Sequence, residues 1–93
     1  MRFEWDEAKN RQNQAKHGIS FDVAAEVFSD PFSLTFVDRT LPTEERLWTI
    51  GRIASLVLLV VVHTTTDDEG EEVIRIISAR RAGPRERRAY EEG

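Results

Sequence analysis

Val73–Tyr90, near the end of the chain, reads VIRIISARRAGPRERRAY and is typical of a strand followed by a turn and a helix. An apolar, β-branched segment typical of a strand runs directly into Arg80 and Arg81. Gly83-Pro84 then ends the strand, and a short helix follows because proline suits the first helical turn. Six of the eighteen residues are arginine. The stretch therefore predicts a strand and a helix joined by a tight turn, with cations concentrated at the junction.

Two helices and a run of strands precede this stretch. Asp6 and Ser20 are good helix N-caps, Gly18 is a natural terminator, and the residue before Pro31 is pushed out of the helical region. The expected elements are a strand at Arg2–Trp5, helices at 6–18 and 20–30, and strands at Ser33–Asp38 (with the turn near Leu41-Pro42), Glu45–Ile53, Leu56–Thr65 and Glu72–Arg80. This order predicts an α+β fold with helices on one side of a small, mostly antiparallel sheet. The N-terminal helices are expected to pack on the sheet, and a short helix is expected at the C-terminus.

Length and composition limit the class of protein. The chain has 93 residues, of which 40% are apolar and 32% charged, with two histidines and no cysteine. These values predict a single domain over residues 1–93, without disulfides or a thiolate site. The longest apolar run, Leu56–Val62, is too short to cross a bilayer, and the N-terminus lacks the apolar core of a signal peptide. We expect a cytoplasmic protein that does not associate with membranes.

Charge is distributed unevenly along the chain. The formal net charge is -4, yet residues 73–93 carry six Arg against three Glu, and residues 1–18 carry four Lys or Arg against three acids. Residues 19–72 hold three Arg against eleven acids. Basic ends can attract phosphate on a protein that is acidic overall, and the forked donors of arginine suit phosphate oxygens. The pattern favours a nucleic-acid ligand; a solvated face of Glu–Arg pairs is the alternative explanation.

The candidate catalytic residues follow from the arginine cluster. Arg80 and Arg81 are expected to stabilise negative charge on a phosphodiester, and because neighbouring strand residues point to opposite faces, only one of them needs to reach it. Arg80 should share a face with Ile76 and Ser78. His17 is a candidate for proton transfer because histidine titrates near neutral pH, although a histidine at a helix end often only caps carbonyl groups. Glu86 and Tyr90, four residues apart, supply a base and a phenol or else orient Arg87.

Other polar and aromatic residues are candidates for nucleic-acid contacts. The first helix has little to bury, and Lys9, Asn13 and Lys16 share one of its faces by their i, i+4, i+7 spacing. These three, with Arg85 and Arg87 in the last helix, are expected to contact nucleic acid. Trp5 either stacks on a base or lies at the edge of the core. We assign Trp48 to the core and His63 to a strand end.

The combination of these motifs resembles the BrnT family. The segments that carry the resemblance are FEWDEAKNRQNQAKHGISFDVAAEVFSDP, EERLWTIGR, LVVVHTTT and VIRIISARRAGPRERRAYE, which together cover essentially the whole chain. The resemblance implies a toxin of a BrnT–BrnA type II toxin–antitoxin pair with a RelE-like fold, RNA cleavage that arrests growth, a BrnA-like antitoxin partner, and DNA contact only through that antitoxin. Gly83-Pro84 departs from the polar turn common in such sequences and bears on how Arg85–Tyr90 faces the sheet.

Three functions compete at this point. The leading hypothesis is an RNA endonuclease without cofactor or metal, because two His, no Cys and no clustered His/Asp spacing argue against a metal nuclease. A non-enzymatic RNA- or ribosome-binding module would show the same arginine-rich ends but would bind without cutting. A regulatory partner of a DNA-binding antitoxin is the third, and the chain lacks a helix-turn-helix pattern with a basic recognition helix.

Overall fold

The computed structural model describes residues 1–39 and 45–93. Its elements, in chain order, are β1 (Arg2–Glu4), α1 (Glu7–His17), α2 (Phe21–Ala24) continued by a 3₁₀ helix (Ala25–Ser29), β2 (Leu34–Asp38), β3 (Arg46–Arg52), β4 (Leu58–Asp68), β5 (Glu71–Arg81) and α3 (Pro84–Glu92). The strands form a five-stranded sheet in the order β1-β5-β4-β3-β2. β1 pairs parallel to β5, and the other pairs are antiparallel. The predicted α+β class is confirmed, while the expected turn at Leu41-Pro42 lies outside the described residues.

Local chemistry sets the helix boundaries where the sequence predicts them. The Asp6 carboxylate accepts a hydrogen bond from the Ala8 amide at 2.8 Å, which caps α1. Gly18 ends α1 with a φ of +71°, a left-handed conformation that glycine adopts without strain. The Ser20 hydroxyl accepts from the Val23 amide at 3.2 Å and starts α2. Each of these signals acts within one helical turn, so it is readable from the sequence.

The central strand β4 is apolar on both faces. Leu59 and Val61 face α1 and α2, whereas Leu58 and Val60 face the opposite side, and all four are buried. The helix α3 covers that second side by packing Ala89 and Tyr90 on it. The expectation that helices occupy one side is therefore wrong for α3. If the second face of β4 were left in water, the free energy gained by burying its apolar side chains would be lost. The helix α3, which follows directly after β5, covers this face.

A β-bulge shifts the alternation of β5. Val62 pairs with Ser78 and His63 pairs with Ile76, so Ile77 is an extra residue in the ladder. Ser78 and Arg80 consequently share the α3 side of the sheet, while Ile76 lies in the core under α1 and α2. The prediction that Arg80 is in phase with Ile76 is wrong, because an inserted residue reverses the face of every side chain beyond it.

Gly51 lies inside β3, opposite Leu59. A Cβ at this position would lie 2.7 Å from Val27 Cγ1 and 3.0 Å from the Val27 carbonyl oxygen. The absent side chain lets the 3₁₀ helix approach the sheet closely, and Val27 is fully buried there. Gly51 therefore sets the distance between the helical layer and β3.

Candidate active site

The Arg80 guanidinium is held in place where β5 passes into α3. Its Nη1 donates to Glu86 Oε1 at 2.9 Å and to the Arg81 carbonyl oxygen at 3.2 Å. Glu86 Oε1 also accepts from the Gly83 amide at 2.7 Å, which caps α3. Nearly half of the Arg80 side chain remains exposed, against 18% for Glu86. One carboxylate thus orients the arginine and starts the helix, leaving the other guanidinium donors free for a ligand.

The pKa of Glu86 explains its role in this pair. The hydrogen bond from Arg80, followed by the one from Gly83, lowers the pKa of Glu86 below its ordinary value despite partial burial. A carboxylate with a lowered pKa is a weaker general base than an ordinary one. Glu86 is therefore suited to positioning Arg80 rather than to removing a proton.

Arg81 lies on the other side of the sheet. It pairs with Leu59 across the ladder and, with Gln14, Ser20 and Val23, borders an open cavity beside α1 and α2. The two neighbouring arginines that the sequence places together are thus separated by the sheet itself, as strand geometry requires. Only Arg80 shares a face with α3.

An open cavity of about 370 Å³ lies between α3 and the β2–β3 edge of the sheet. It is lined by Phe36, Trp48, Ile50, Arg85, Glu86 and Ala89. The rings of Phe36 and Trp48 are 5.4 Å apart at a tilt of 41°. Trp48 packs against the apolar cluster under α3, in keeping with its predicted place in the core. Its ring also lines this cavity, so Trp48 is only partly a core residue. Register between β2 and β3 creates this pair, and the sequence carries no signal for it.

Tyr90 has a different set of partners from Glu86. Its hydroxyl donates to Asp30 Oδ2 at 2.7 Å, and the Arg52 guanidinium lies 5.3 Å from its ring centroid. The hydrogen bond to Asp30 is the main reason that the pKa of Tyr90 is raised. Burial raises the pKa of Asp30, but hydrogen bonds from the Arg52 amide, Tyr90 and the Phe32 amide outweigh it, and the pKa is lowered. This network anchors α3 to the turn before β2, and sequence analysis identified neither Asp30 nor Arg52.

The polar face of α1 is used differently from the prediction. Asn13 is buried, and its carboxamide hydrogen-bonds the Ile19 carbonyl and both backbone groups of Ala79. The expectation that Asn13 contacts RNA is corrected, because every polar atom of its side chain is already used inside the protein. Lys9 and Lys16 are exposed and have no partner in the part of the chain that the structure describes.

The remaining candidates also lie on the layer of α1 and α2. His17 is exposed at the end of α1. The Trp5 ring meets Phe21 edge-on at 6.0 Å, and its indole N–H donates to Glu7 at 3.3 Å. Trp5 therefore lies at the edge of the core, the second of the two roles considered for it. Neither residue shares a face of the sheet with Arg80.

His63 lies within β4 and is buried, so its assignment to a strand end is wrong. Its Nε2 lies 2.8 Å from Thr49 Oγ1, and its ring meets Phe28 edge-on at 4.8 Å. Desolvation lowers the pKa of His63. A neutral, hydrogen-bonded histidine away from the arginine cluster is a core residue. β4 continues past His63 to Asp68, beyond the predicted strand end at Thr65.

Two further features concern residues 1–39 and 45–93 only. No group of three or more His, Asp or Glu side chains in these ranges is arranged to hold a metal ion. No helix in them is both long and apolar enough to cross a membrane.

Comparisons with known proteins identify the family of the chain. Residues 5–86 match the family model described as "Ribonuclease toxin, BrnT, of type II toxin-antitoxin system". The chain is also similar to the crystal structure of the Brucella abortus ribonuclease toxin BrnT, with a TM-score of 0.61 and 30% identity over 89% of this chain and 97% of that one. No curated protein matches the chain significantly. The match to the family model spans most of the sequence, and the similar crystal structure has the same fold, so the chain belongs to the BrnT family of ribonuclease toxins of type II toxin–antitoxin systems.

Proposed function

We propose that this chain is a metal-independent endoribonuclease whose active centre lies on the α3 side of the sheet, around Arg80. The 2′-hydroxyl of the RNA attacks the adjacent phosphorus, the bond from phosphorus to the 5′ oxygen breaks, and a 2′,3′-cyclic phosphate and a 5′-hydroxyl result. The 2′-hydroxyl loses its proton and the departing 5′ oxygen gains one. The pentacovalent transition state carries extra negative charge, which a preorganised cation stabilises.

The orientation of Arg80 by Glu86 is the observation that supports this proposal most strongly. A free arginine on a surface loses side-chain entropy when it binds a phosphate, whereas Arg80 is already held by two hydrogen bonds. Because Glu86 is itself held by the Gly83 amide, the pair has a defined position relative to the end of β5. Electrostatic stabilisation of this kind is worth about 10²–10³-fold in rate for one donor.

The other predicted residues receive different roles in the proposal. Arg85 lies next to Glu86 and Arg87 follows on α3, so they extend the cationic surface for neighbouring phosphates. Tyr90 anchors α3 through Asp30 rather than acting on substrate. Lys9 and Lys16 lie on the opposite layer, where they reach RNA only if the strand passes around the edge of the domain. Electrostatic stabilisation, rather than a strong general base, supplies most of the rate enhancement.

The family implies a cognate antitoxin. We propose a BrnA-like protein that neutralises the chain by covering the Arg80 surface, with any DNA contact made by the antitoxin and with both proteins in the cytoplasm. A growth-arresting nuclease has to be held inactive between uses. The exposed guanidinium of Arg80 is a ready contact for an acidic residue of such a partner.

The experiment compares two neighbouring substitutions that the sheet separates. Purified wild type, Arg80→Ala and Arg81→Ala are incubated with single-stranded RNA in excess EDTA, and the product ends are analysed. We expect cyclic phosphate ends from the wild type, a loss of about 10²–10³-fold in rate for Arg80→Ala, and a change of a few-fold at most for Arg81→Ala. Equal activity of Arg80→Ala and Arg81→Ala would contradict the placement of the site. RNA binding without cleavage would favour a non-enzymatic binding module, and activity abolished by EDTA would overturn metal independence.

A further inference from the structure

The cavity bordered by Phe36, Trp48 and Arg85 combines an aromatic wall with an exposed cation. The Phe36 and Trp48 rings pack together with centroids 5.4 Å apart and a tilt of 41°. Ile50 and Ala89 complete its apolar lining, and the volume of about 370 Å³ lies in the range of roughly 300–1,000 Å³ typical of small-ligand sites. Phe36 is 39% exposed, so part of its ring is accessible to a ligand. The cavity therefore offers a flat apolar group a partly formed binding surface.

Arg85 supplies the charge at the rim of the cavity. It has no hydrogen-bond or ion-pair partner among residues 1–39 and 45–93, unlike Arg80. Glu86 belongs to both sites, because its side chain lines the cavity while its Oε1 accepts from Arg80. A ligand with a flat aromatic group and an anion attached to it would match the two rings and Arg85 together.

The register of the sheet sets the distance between the cavity and Arg80. Phe36, Trp48, Val62 and Ser78 form one row across the strands, and Leu34, Ile50, Val60 and Arg80 form the next row on the same face. Trp48 is thus two strands and one row away from Arg80, or about 12 Å between backbones from the usual strand spacings. The long Arg80 side chain lies between the two backbones, so this separation suits one nucleotide, with its base at Trp48 and the neighbouring phosphate at Arg80.

We propose that the Phe36–Trp48–Arg85 cavity is a nucleobase subsite, in which a base next to the cleaved phosphodiester stacks on the two rings while Arg85 contacts the phosphate. The proposal rests on the ribonuclease function proposed above and adds where the enzyme reads its substrate. Stacking on aromatic side chains and contact with arginine are the usual means of binding single-stranded RNA. An aliphatic and acidic side-chain pair from the antitoxin would match the cation but would not use the aromatic wall.

The first measurement uses Trp48 as its own reporter. The chain has two tryptophans, and Trp5→Phe leaves Trp48 as the single tryptophan, which can be excited selectively over Tyr90. Mixed-sequence 2′-O-methyl RNA is the probe, because it binds without offering a hydroxyl for attack. We expect saturable quenching of Trp48 emission by this RNA. Quenching by the antitoxin but not by RNA would overturn the proposal in favour of a protein contact.

The second measurement compares two exposed phenylalanines. Phe36→Ala removes part of the aromatic wall, and Phe32→Ala is the matched control because Phe32 is 74% exposed and does not line this cavity. Loss of one stacked base should weaken binding of the same RNA about 5- to 150-fold for Phe36→Ala, with less than a twofold change for Phe32→Ala. On cleavable RNA, Phe36→Ala should raise KM more than it lowers kcat and relax the base preference beside the cut. Circular dichroism verifies that both variants are folded.

The outcomes separate this proposal from the ribonuclease function. If wild type cleaves RNA and Arg80→Ala does not, but Phe36→Ala binds RNA like Phe32→Ala, the base subsite is wrong and the ribonuclease proposal stands. If wild type neither binds nor cleaves RNA, both proposals fail. Weakened binding by Phe36→Ala together with Trp48 quenching supports the subsite.

Discussion

Replacing Asn13 with alanine should destabilise the domain more than the loss of one polar side chain from a surface helix suggests. The carboxamide of Asn13 donates to the carbonyl oxygens of Ile19 at 3.0 Å and Ala79 at 2.8 Å, and accepts from the Ala79 amide at 3.1 Å. β1 pairs with β5 only at residues 73–75 of the described ladder. At Ala79 the side chain of Asn13 therefore satisfies backbone groups that a neighbouring strand would otherwise satisfy.

The magnitude follows from the three groups left without a partner. Ala79 is 1% exposed and Ile19 is 7% exposed, so water has little access to their backbone groups. An unsatisfied buried polar group costs about 1–3 kcal/mol. Allowing for partial relaxation, we expect Asn13→Ala to lower the free energy of unfolding by about 3–5 kcal/mol, a large part of the roughly 5–15 kcal/mol of an ordinary domain. The thermal midpoint should fall by on the order of 15–30 °C.

Urea unfolding, followed by tryptophan fluorescence and far-UV circular dichroism, measures this loss. Gln12→Ala is the matched control, because Gln12 is an exposed amide on the same helix with no hydrogen bond in the described ranges. Its effect should stay within about 0.5 kcal/mol. If the two variants differ by less than about 1 kcal/mol, on the scale of an ordinary surface change, the reasoning about Asn13 is refuted. The predicted loss in Asn13→Ala also matters for function, since Asn13 holds the backbone of Ala79, which directly precedes Arg80.

Three further predictions concern the Arg80–Glu86 pair, the buried His63 and the close contact between Val27 and Gly51. Glu86→Gln should lower the free energy of unfolding at neutral pH by about 1 kcal/mol, since the residue caps α3 and accepts from Arg80. Because the folded-state pKa of Glu86 is lowered, this contribution to stability is present above the unfolded pKa of about 4.3 and is lost as pH falls through the folded pKa. The urea midpoints of wild type and variant should therefore converge in acid. A difference that stays constant with pH would contradict this. Burial also lowers the pKa of His63, so stability should be full above the unfolded pKa of about 6.5 and decline below it by at most about 1.4 kcal/mol per pH unit. His63→Gln should abolish that decline in urea titrations and His17→Gln should not. Gly51→Ala should lower the free energy of unfolding, measured by thermal denaturation, by about 1–3 kcal/mol, because its Cβ would meet Val27 Cγ1 at 2.7 Å. Combining it with Val27→Ala should cost less than the sum of the two single changes. Purely additive effects would count against that contact.

Much of the fold was predictable because its signals are local. The caps at Asp6 and Ser20 and the left-handed Gly18 act within a few residues of themselves. The hairpin turn before β5 is equally local, with positive φ at Glu69 and Gly70. The apolar run Leu56–Val62 is another local signal, since only a strand covered on both faces tolerates such continuous hydrophobicity. These signals also carried the family resemblance.

The site was less predictable because it depends on pairing across the sheet. A single bulged residue, Ile77, decides which side of the sheet Arg80 faces, and alternation alone gave the wrong companion in Ile76. The two tryptophans are indistinguishable by composition. Trp5 lies at the edge of the core and Trp48 lines the cavity beside Arg85, because strand order and the side chosen by α3 put them on opposite faces.

The amino-acid sequence by itself determined the helix boundaries, the strand segments, the arginine cluster after β5 and the family to which the chain belongs. Only the tertiary structure decided that Arg80 and Arg81 lie on opposite faces, that Asn13 is a buried backbone ligand, and that Phe36 meets Trp48. The physical reason is range. Caps and turns are governed by hydrogen bonds within one turn of chain, whereas register, bulges and the packing side of a helix minimise the free energy of the whole sheet.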